Sequence, residues 1–220
     1  MNSPSGPVAP LYKPSSSPIP PVSFANGATA APAAHQRADT YAALDLGTNN
    51  CRLLVARGMG RSFRVIDAFS RIVRLGEGLA ASGVLSEAAM ARAIEALKIC
   101  AGKVAHRRVT RARYVATEAC RRAANCAEFV ARVHSDTGFA IEIISTDEEA
   151  RLVVTGCAPL LDRRIRYACV FDIGGGSTEL VWLRVPRDPR APPRVEGFIS
   201  LPHGVVTLSD RYGGREVTAA

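Results

Sequence analysis

The sequence predicts an α/β protein built on a duplicated strand–turn–strand unit. Three observations carry that prediction. The stretch Val170-Phe-Asp-Ile-Gly-Gly-Gly-Ser-Thr-Glu-Leu-Val-Trp-Leu183 runs a strand-like apolar segment through three glycines and two hydroxyls into a second apolar segment. Ala43-Leu-Asp-Leu-Gly-Thr-Asn-Asn-Cys-Arg-Leu-Leu-Val-Ala56 superposes on it without a gap, with Asp45 on Asp172, Gly47 on Gly174 and Leu53 on Leu180. Between the two copies, short strand-like runs alternate with segments of helical periodicity.

Each element follows from local chemistry. Residues 1–39 are rich in Pro, Ser and Ala and hold eight of the fourteen prolines, so they cannot bury enough apolar surface to order, and a disordered tail is expected. Strands are expected at 40–46, 51–57 and, after Gly58 and Gly60, at 63–69, as an antiparallel meander. Residues 71–79 read as strand and loop near the cleft. Ser86 caps a helix whose Met90, Ile94, Leu97, Ala101 and Val104 recur at helical spacing and whose far end is basic. A strand at 112–116 precedes Thr117-Glu-Ala-Cys-Arg-Arg122. Asn125 and Glu128 form a candidate capping box for a helix at 126–136, closed by Gly138. A strand at 140–144 leads to a helix capped by Ser145 or Thr146, where Asp147, Glu148 and Glu149 suit the positive N-terminus. The second copy then supplies strands at 167–173, 179–183 and 195–201, with a Pro- and Arg-rich loop at 185–194 and a final turn and helix. His203 reads as a turn histidine. The division expected is a tail at 1–39, a first half at 40–160 and the start of a second half at 161–220.

The two turns are built to receive phosphate. Glycines are expected there for backbone angles that a Cβ forbids, letting successive N–H groups converge on an anion. Gly47, Thr48 and Asn49 form the first candidate loop; Gly174, Gly175, Gly176, Ser177 and Thr178 form the second. Asp45 and Asp172, each at a strand exit, can hold a water or a divalent cation beside that anion.

Composition sets outer bounds. A net charge of +8 suits an anionic ligand, whether phosphate or nucleic acid. Aromatics are few and not interleaved with the basic clusters at 103–113, 163–166 and 184–194, which disfavours nucleic acid. The six cysteines show no C-x-x-C spacing and there are four histidines, so neither zinc nor a disulfide framework is indicated; buried reduced thiols in a cytoplasmic protein are expected. No apolar run approaches membrane-spanning length, and the N-terminus lacks the apolar core of a signal peptide.

The paired loops resemble the phosphate motifs of the actin, sugar kinase and heat-shock ATPase superfamily. More narrowly, Asp45-Leu-Gly-Thr-Asn-Asn, Ala116-Thr-Glu-Ala-Cys-Arg121, Glu142-Ile-Ile-Ser-Thr-Asp-Glu-Glu-Ala-Arg-Leu152 and Asp172-Ile-Gly-Gly-Gly-Ser-Thr-Glu179 resemble, in order and spacing, the exopolyphosphatase and guanosine pentaphosphate phosphohydrolase family, over about residues 41–212. The resemblance implies a ribonuclease-H-like (actin-like ATPase) duplicated domain, with the first half complete and the second truncated. It implies a bacterial stringent-response hydrolase acting on polyphosphate or guanosine pentaphosphate, with Mg2+ at Asp45 or Asp172 and homodimerisation in a full-length form. It also implies that Glu149 activates water, that Arg121 meets phosphate oxygens and that Arg74 lies near substrate. On sequence physics alone, the helix-start acids, Glu149 among them, are explained without catalysis, and Arg121 can be read as a helix-surface arginine. Two other readings stand beside the hydrolase: a kinase or ATPase of the same superfamily, which needs an adenosine-binding turn that this chain does not reach, and a non-catalytic polyphosphate or alarmone sensor.

Overall fold

The computed structural model describes residues 39–213 except 61, 189 and 190. The tail expected at 1–39 falls, but for Asp39, outside the described residues. The first copy of the repeat forms β1 (Thr40–Leu46) and β2 (Asn50–Met59), and β3 (Ser62–Ile72) extends the meander. After a short α1 (Leu79–Ser82) come α2 (Glu87–His106), β4 (Arg111–Ala116), α3 (Glu118–Arg122), α4 (Cys126–Thr137), β5 (Glu142–Ile143) and α5 (Thr146–Cys157). The five strands order as β3-β2-β1-β4-β5, with β1–β3 antiparallel and β4 and β5 parallel to β1. This is the ribonuclease-H-like sheet expected from the sequence.

Period-two alternation sets the first core. Ala42, Leu44 and Leu46 of β1 and Cys51, Leu53 and Val55 of β2 point to one face. Onto that face pack Met90, Ile94, Leu97 and Cys100 of α2, Ala119 of α3, and Phe129 and Val133 of α4. Ser86 caps α2 as expected, accepting the Ala89 amide at 3.2 Å.

The second copy forms β6 (Tyr167–Ile173), β7 (Thr178–Arg184) and β8 (Arg194–Leu201), a separate antiparallel sheet ordered β6-β7-β8, followed by α6 (Val205–Tyr212). Its smaller core joins Val170, Val181 and Leu183 to Ala150 and Val154 of α5.

Three expectations need correction. Asn125 makes no capping contact with α4; its amide instead pairs with the backbone of Leu85, at 2.8 and 3.0 Å, and ties α4 to the loop before α2. The strand expected at 140–144 shrinks to β5, because only Glu142 and Ile143 meet β4. Cys51, Cys100, Cys120 and Cys126 are buried and free, but Cys169 is exposed, since it lies on the face of β6 that α5 does not cover. Among the described residues, no helix is long and apolar enough to cross a membrane.

Candidate active site

The two repeated turns close in the same way. Gly47 N–H donates to the Asn50 carbonyl and Gly174 N–H to the Ser177 carbonyl, each at 2.9 Å. Cys51 pairs with Leu46 and Thr178 with Ile173, so Asp45 and Asp172 occupy equivalent positions, one residue further down their strands.

The turns face each other across a cleft of about 110 Å³. A Cβ on Gly175 would lie 2.9 Å from the Asn49 nitrogen and 2.9 Å from Thr48 Cβ; one on Gly176 would lie 2.9 Å from Thr48 Oγ1. None of Gly47, Gly174, Gly175 and Gly176 has a positive φ. The expectation of special backbone angles is therefore corrected: the second loop needs glycine because another backbone approaches it.

Each loop is braced from behind through its carbonyls. The Asn49 carbonyl accepts the amides of Val73 (2.8 Å) and Arg74 (3.0 Å), and the Thr48 carbonyl accepts that of Gly76 (3.0 Å). The Gly174 carbonyl accepts the Val205 amide (3.0 Å), and the Gly175 carbonyl those of Val206 (2.8 Å) and Thr207 (3.3 Å), at the start of α6. The peptide units are trans and planar, so the following amides of Asn49, Gly175 and Gly176 point away from these braces. Donors so arranged between two turns suit an anion.

Gly47, Thr48, Asn49, Gly174, Gly175, Gly176 and Ser177 all line the cleft, as do Asp45, Asp172 and Glu149. Thr178 does not: its hydroxyl donates to the His203 carbonyl at 2.6 Å and fastens the loop to the following turn. His203 itself is exposed. Arg74 is exposed and lies outside the cleft; its left-handed backbone (φ 46°) serves the brace to Asn49.

Arg121 is placed differently from the expected phosphate contact. Its guanidinium donates to Glu149 Oε2 at 2.8 Å, to the Ile144 carbonyl at 2.9 Å and twice to Glu118 Oε2, at 3.1 and 2.9 Å. It holds the acids of the cleft, and Glu149 thereby comes to the cleft wall.

Burial raises the Glu149 carboxyl above its usual range; Arg121 opposes this, and Glu179 and Asp45 add to it. Asp45 is raised as well, first by burial, with Arg52 lowering it and Asp172 raising it. Asp45 and Asp172, two carboxylates lining one cleft, fit a magnesium ion, which takes one or two carboxylates and completes its shell with water and phosphate oxygens. Among the described residues, no three acidic, cysteine or histidine side chains converge as a closed metal cage would require.

Sequence reasoning did not single out Arg52, Glu118 or Glu179. Arg52 and Glu118 line the cleft; Glu179 is buried, accepts the Ser200 hydroxyl at 2.8 Å and acts electrostatically on Glu149. A signal for two of them was present: Arg52 and Glu179 hold the same position in the two copies, opposite Asp45 and Asp172.

The sequence matches the Ppx/GppA phosphatase family over residues 54–217. The solved structures it resembles include the Aquifex aeolicus member of that family (32% identity, TM-score 0.64, covering 79% of this chain and 54% of that one). An exopolyphosphatase-like protein matches at 32% identity and TM-score 0.71, covering 80% of this chain and 54% of the other. An exopolyphosphatase from Cytophaga hutchinsonii ATCC 33406 shares the fold at 24% identity and TM-score 0.72, covering 79% and 54%. The chain thus spans about half the length of these solved relatives. With the match extending over most of the sequence, this chain belongs to the Ppx/GppA phosphatase family.

Proposed function

We propose that this chain carries the catalytic cleft of a phosphoanhydride hydrolase that releases terminal phosphate from inorganic polyphosphate or from guanosine pentaphosphate. The observation that carries the reading is a half-buried carboxylate, Glu149, held by Arg121 in the wall of a cleft lined by both glycine loops. The terminal phosphoryl group sits between the loops, its oxygens on the amides of Asn49, Gly175 and Gly176. These donors stabilise the charge that spreads over those oxygens as the bond breaks. Glu149 takes a proton from water as the water oxygen bonds to phosphorus. The bridging P–O bond breaks, and the shortened chain leaves with the bridging oxygen. Magnesium held at Asp45 and Asp172 would neutralise charge on the phosphate oxygens.

The basic cluster at 103–113 does not decide between the substrates. Lys103 and Arg107 are committed to Asp67, and Arg113 to Glu142 and Glu148. The test is phosphate release from long-chain polyphosphate and from guanosine pentaphosphate, with magnesium, by the wild type and Glu149→Gln. A loss on the order of 10²- to 10⁴-fold is expected in the variant, as for removal of a general base. Equal release by both proteins sinks the assignment of Glu149, and release from neither substrate by the wild type sinks the hydrolase reading.

A further inference from the structure

Arg121 joins the two cores. It lies on α3, whose Ala119 and Cys120 belong to the first core, whereas Glu149 lies on α5, whose Ala150 and Val154 belong to the second. One corner of its guanidinium, Nη1, reaches Glu149 and the Ile144 carbonyl just before α5. The opposite edge, Nε and Nη2, is held by a single oxygen of Glu118. A guanidinium is rigid and planar, so fixing one edge decides where the other points. The three side chains are only 16–19% exposed, which limits competition from water.

Glu118 lines the cleft, and its two short hydrogen bonds both go to Arg121. It starts α3, but that helix is five residues long, and the carboxylate turns to Arg121. Arg122 reaches the other oxygen of Glu118 only at 4.0 Å. The side chain also packs over the second loop, its Cγ 3.0 Å from where a Cβ on Gly176 would sit.

We propose that Glu118 is a positioning residue for the hydrolytic base: it aims Arg121 across the boundary between the cores, and Arg121 fixes the Glu149 carboxylate in the cleft. This rests on the hydrolase reading given above. Without the Glu118 anchor the guanidinium turns about its remaining contacts, and the carboxylate it holds moves with it. Displacement of a reacting group by about 1 Å costs on the order of 100-fold in rate. An amide at position 118 still offers an oxygen acceptor, so the aim survives loss of the charge.

The test compares the wild type with Glu118→Ala and Glu118→Gln in two measurements. One is the water-exchange rate of the Arg121 Nε–H, followed by 1H–15N NMR and assigned with Arg121→Lys; the backbone spectrum reports whether each variant folds. The other is kcat and KM for phosphate release from polyphosphate and guanosine pentaphosphate. Glu118→Ala is expected to speed Nε–H exchange and to lower kcat on the order of 10- to 100-fold with KM little changed, the usual scale for supporting contacts. Glu118→Gln is expected to restore slow exchange and most of kcat. Unchanged exchange in Glu118→Ala overturns the aiming role whatever the kinetics show. Fast exchange with an unchanged kcat overturns the link to the base, as does a loss that falls in KM alone. An inactive wild type brings down the hydrolase reading, and the exchange rates still decide whether Glu118 aims Arg121.

Discussion

Leu44 and Phe171 hold the same position in two copies of one strand–turn–strand unit, yet Leu44 is 1% exposed and Phe171 66%. The contrast runs along the whole strand. Thr40, Ala42, Leu44 and Leu46 are buried; their counterparts Tyr167, Cys169, Phe171 and Ile173 are exposed. In the first copy, α2, α3 and α4 cover this face, and β4 pairs with the free edge of β1. In the second copy, α5 covers the opposite face, that of Val170 and Asp172, and the described residues pair nothing with the outer edge of β6. Among the described residues the first core has 24 buried residues and the second five, yet both turns close with the same 2.9 Å hydrogen bond. The hydrogen bond that closes each turn is therefore a local product of its hairpin, formed alike over a large core and a small one.

Core substitution gives the widest separation between the copies. Leu44→Ala should destabilise the fold by about 2–5 kcal/mol, the range for emptying a packed aliphatic site. Phe171→Ala removes an exposed ring and should cost less than about 0.5 kcal/mol. Urea denaturation followed by circular dichroism measures both. Similar losses at the two positions would mean that the outer face of β6 is covered in solution.

The turns themselves should separate next. Both glycines have backbone angles open to alanine, so only packing distinguishes them. A methyl at Gly47 meets the Asn50 carbonyl at 3.5 Å, an ordinary contact. At Gly175 it would press on the Asn49 backbone at 2.9 Å and force the loops apart. Gly175→Ala should cost about 1–3 kcal/mol, the scale of overpacking, and weaken polyphosphate binding in calorimetric titration, whereas Gly47→Ala should leave both nearly unchanged.

These comparisons also mark what could be read in the sequence. The hairpins, the cap at Ser86 and the two loops depend on neighbours a few residues apart, and the spacing of Asp45, Gly47, Asp172 and Gly174 carries them. The contact of Gly175 with Thr48 spans the fold and has no local signature. Arg121 shows the same limit. Its place in the motif marked it as part of the site, but its orientation depends on Glu149 and the Ile144 carbonyl, which arrive from α5 and the residue preceding its cap. Nor does periodicity tell which face of the second sheet α5 will cover, since both faces of β6 are apolar enough to take it.

The acids at the seam between the copies should then titrate unlike surface acids. Burial raises Glu149, and Arg121 partly offsets it. In the proposed mechanism Glu149 must be deprotonated, so phosphate release should fall as pH drops through a value above the ordinary glutamate pKa of about 4.3. Arg121→Gln removes the lowering influence and should move that acid limb to higher pH in a kcat/KM profile. A limb at or below the ordinary value would show that Glu149 is solvated in the working enzyme.

The smallest expected difference lies in how each sheet is tied at its surface. Asp67 on edge strand β3 takes both Lys103 (2.7 Å) and Arg107 (2.8 Å) from α2, and these bonds hold its carboxyl down to about 2. Its folded pKa is depressed, so its stabilising contribution is present above the unfolded value of about 3.9 and is lost as pH falls through the folded one. Asp67→Asn should therefore lower Tm at pH 7 and have progressively less effect as pH falls through about 2. In the second sheet, Glu196 pairs with Arg184 on the adjacent strand, with both side chains more than a third exposed, a setting where ion pairs contribute little. Glu196→Gln should leave Tm unchanged at both pH values. An equal drop for the two variants at pH 7 would mean that the Asp67 cluster does no more than a solvated surface pair, and that packing alone holds the edge strand to α2.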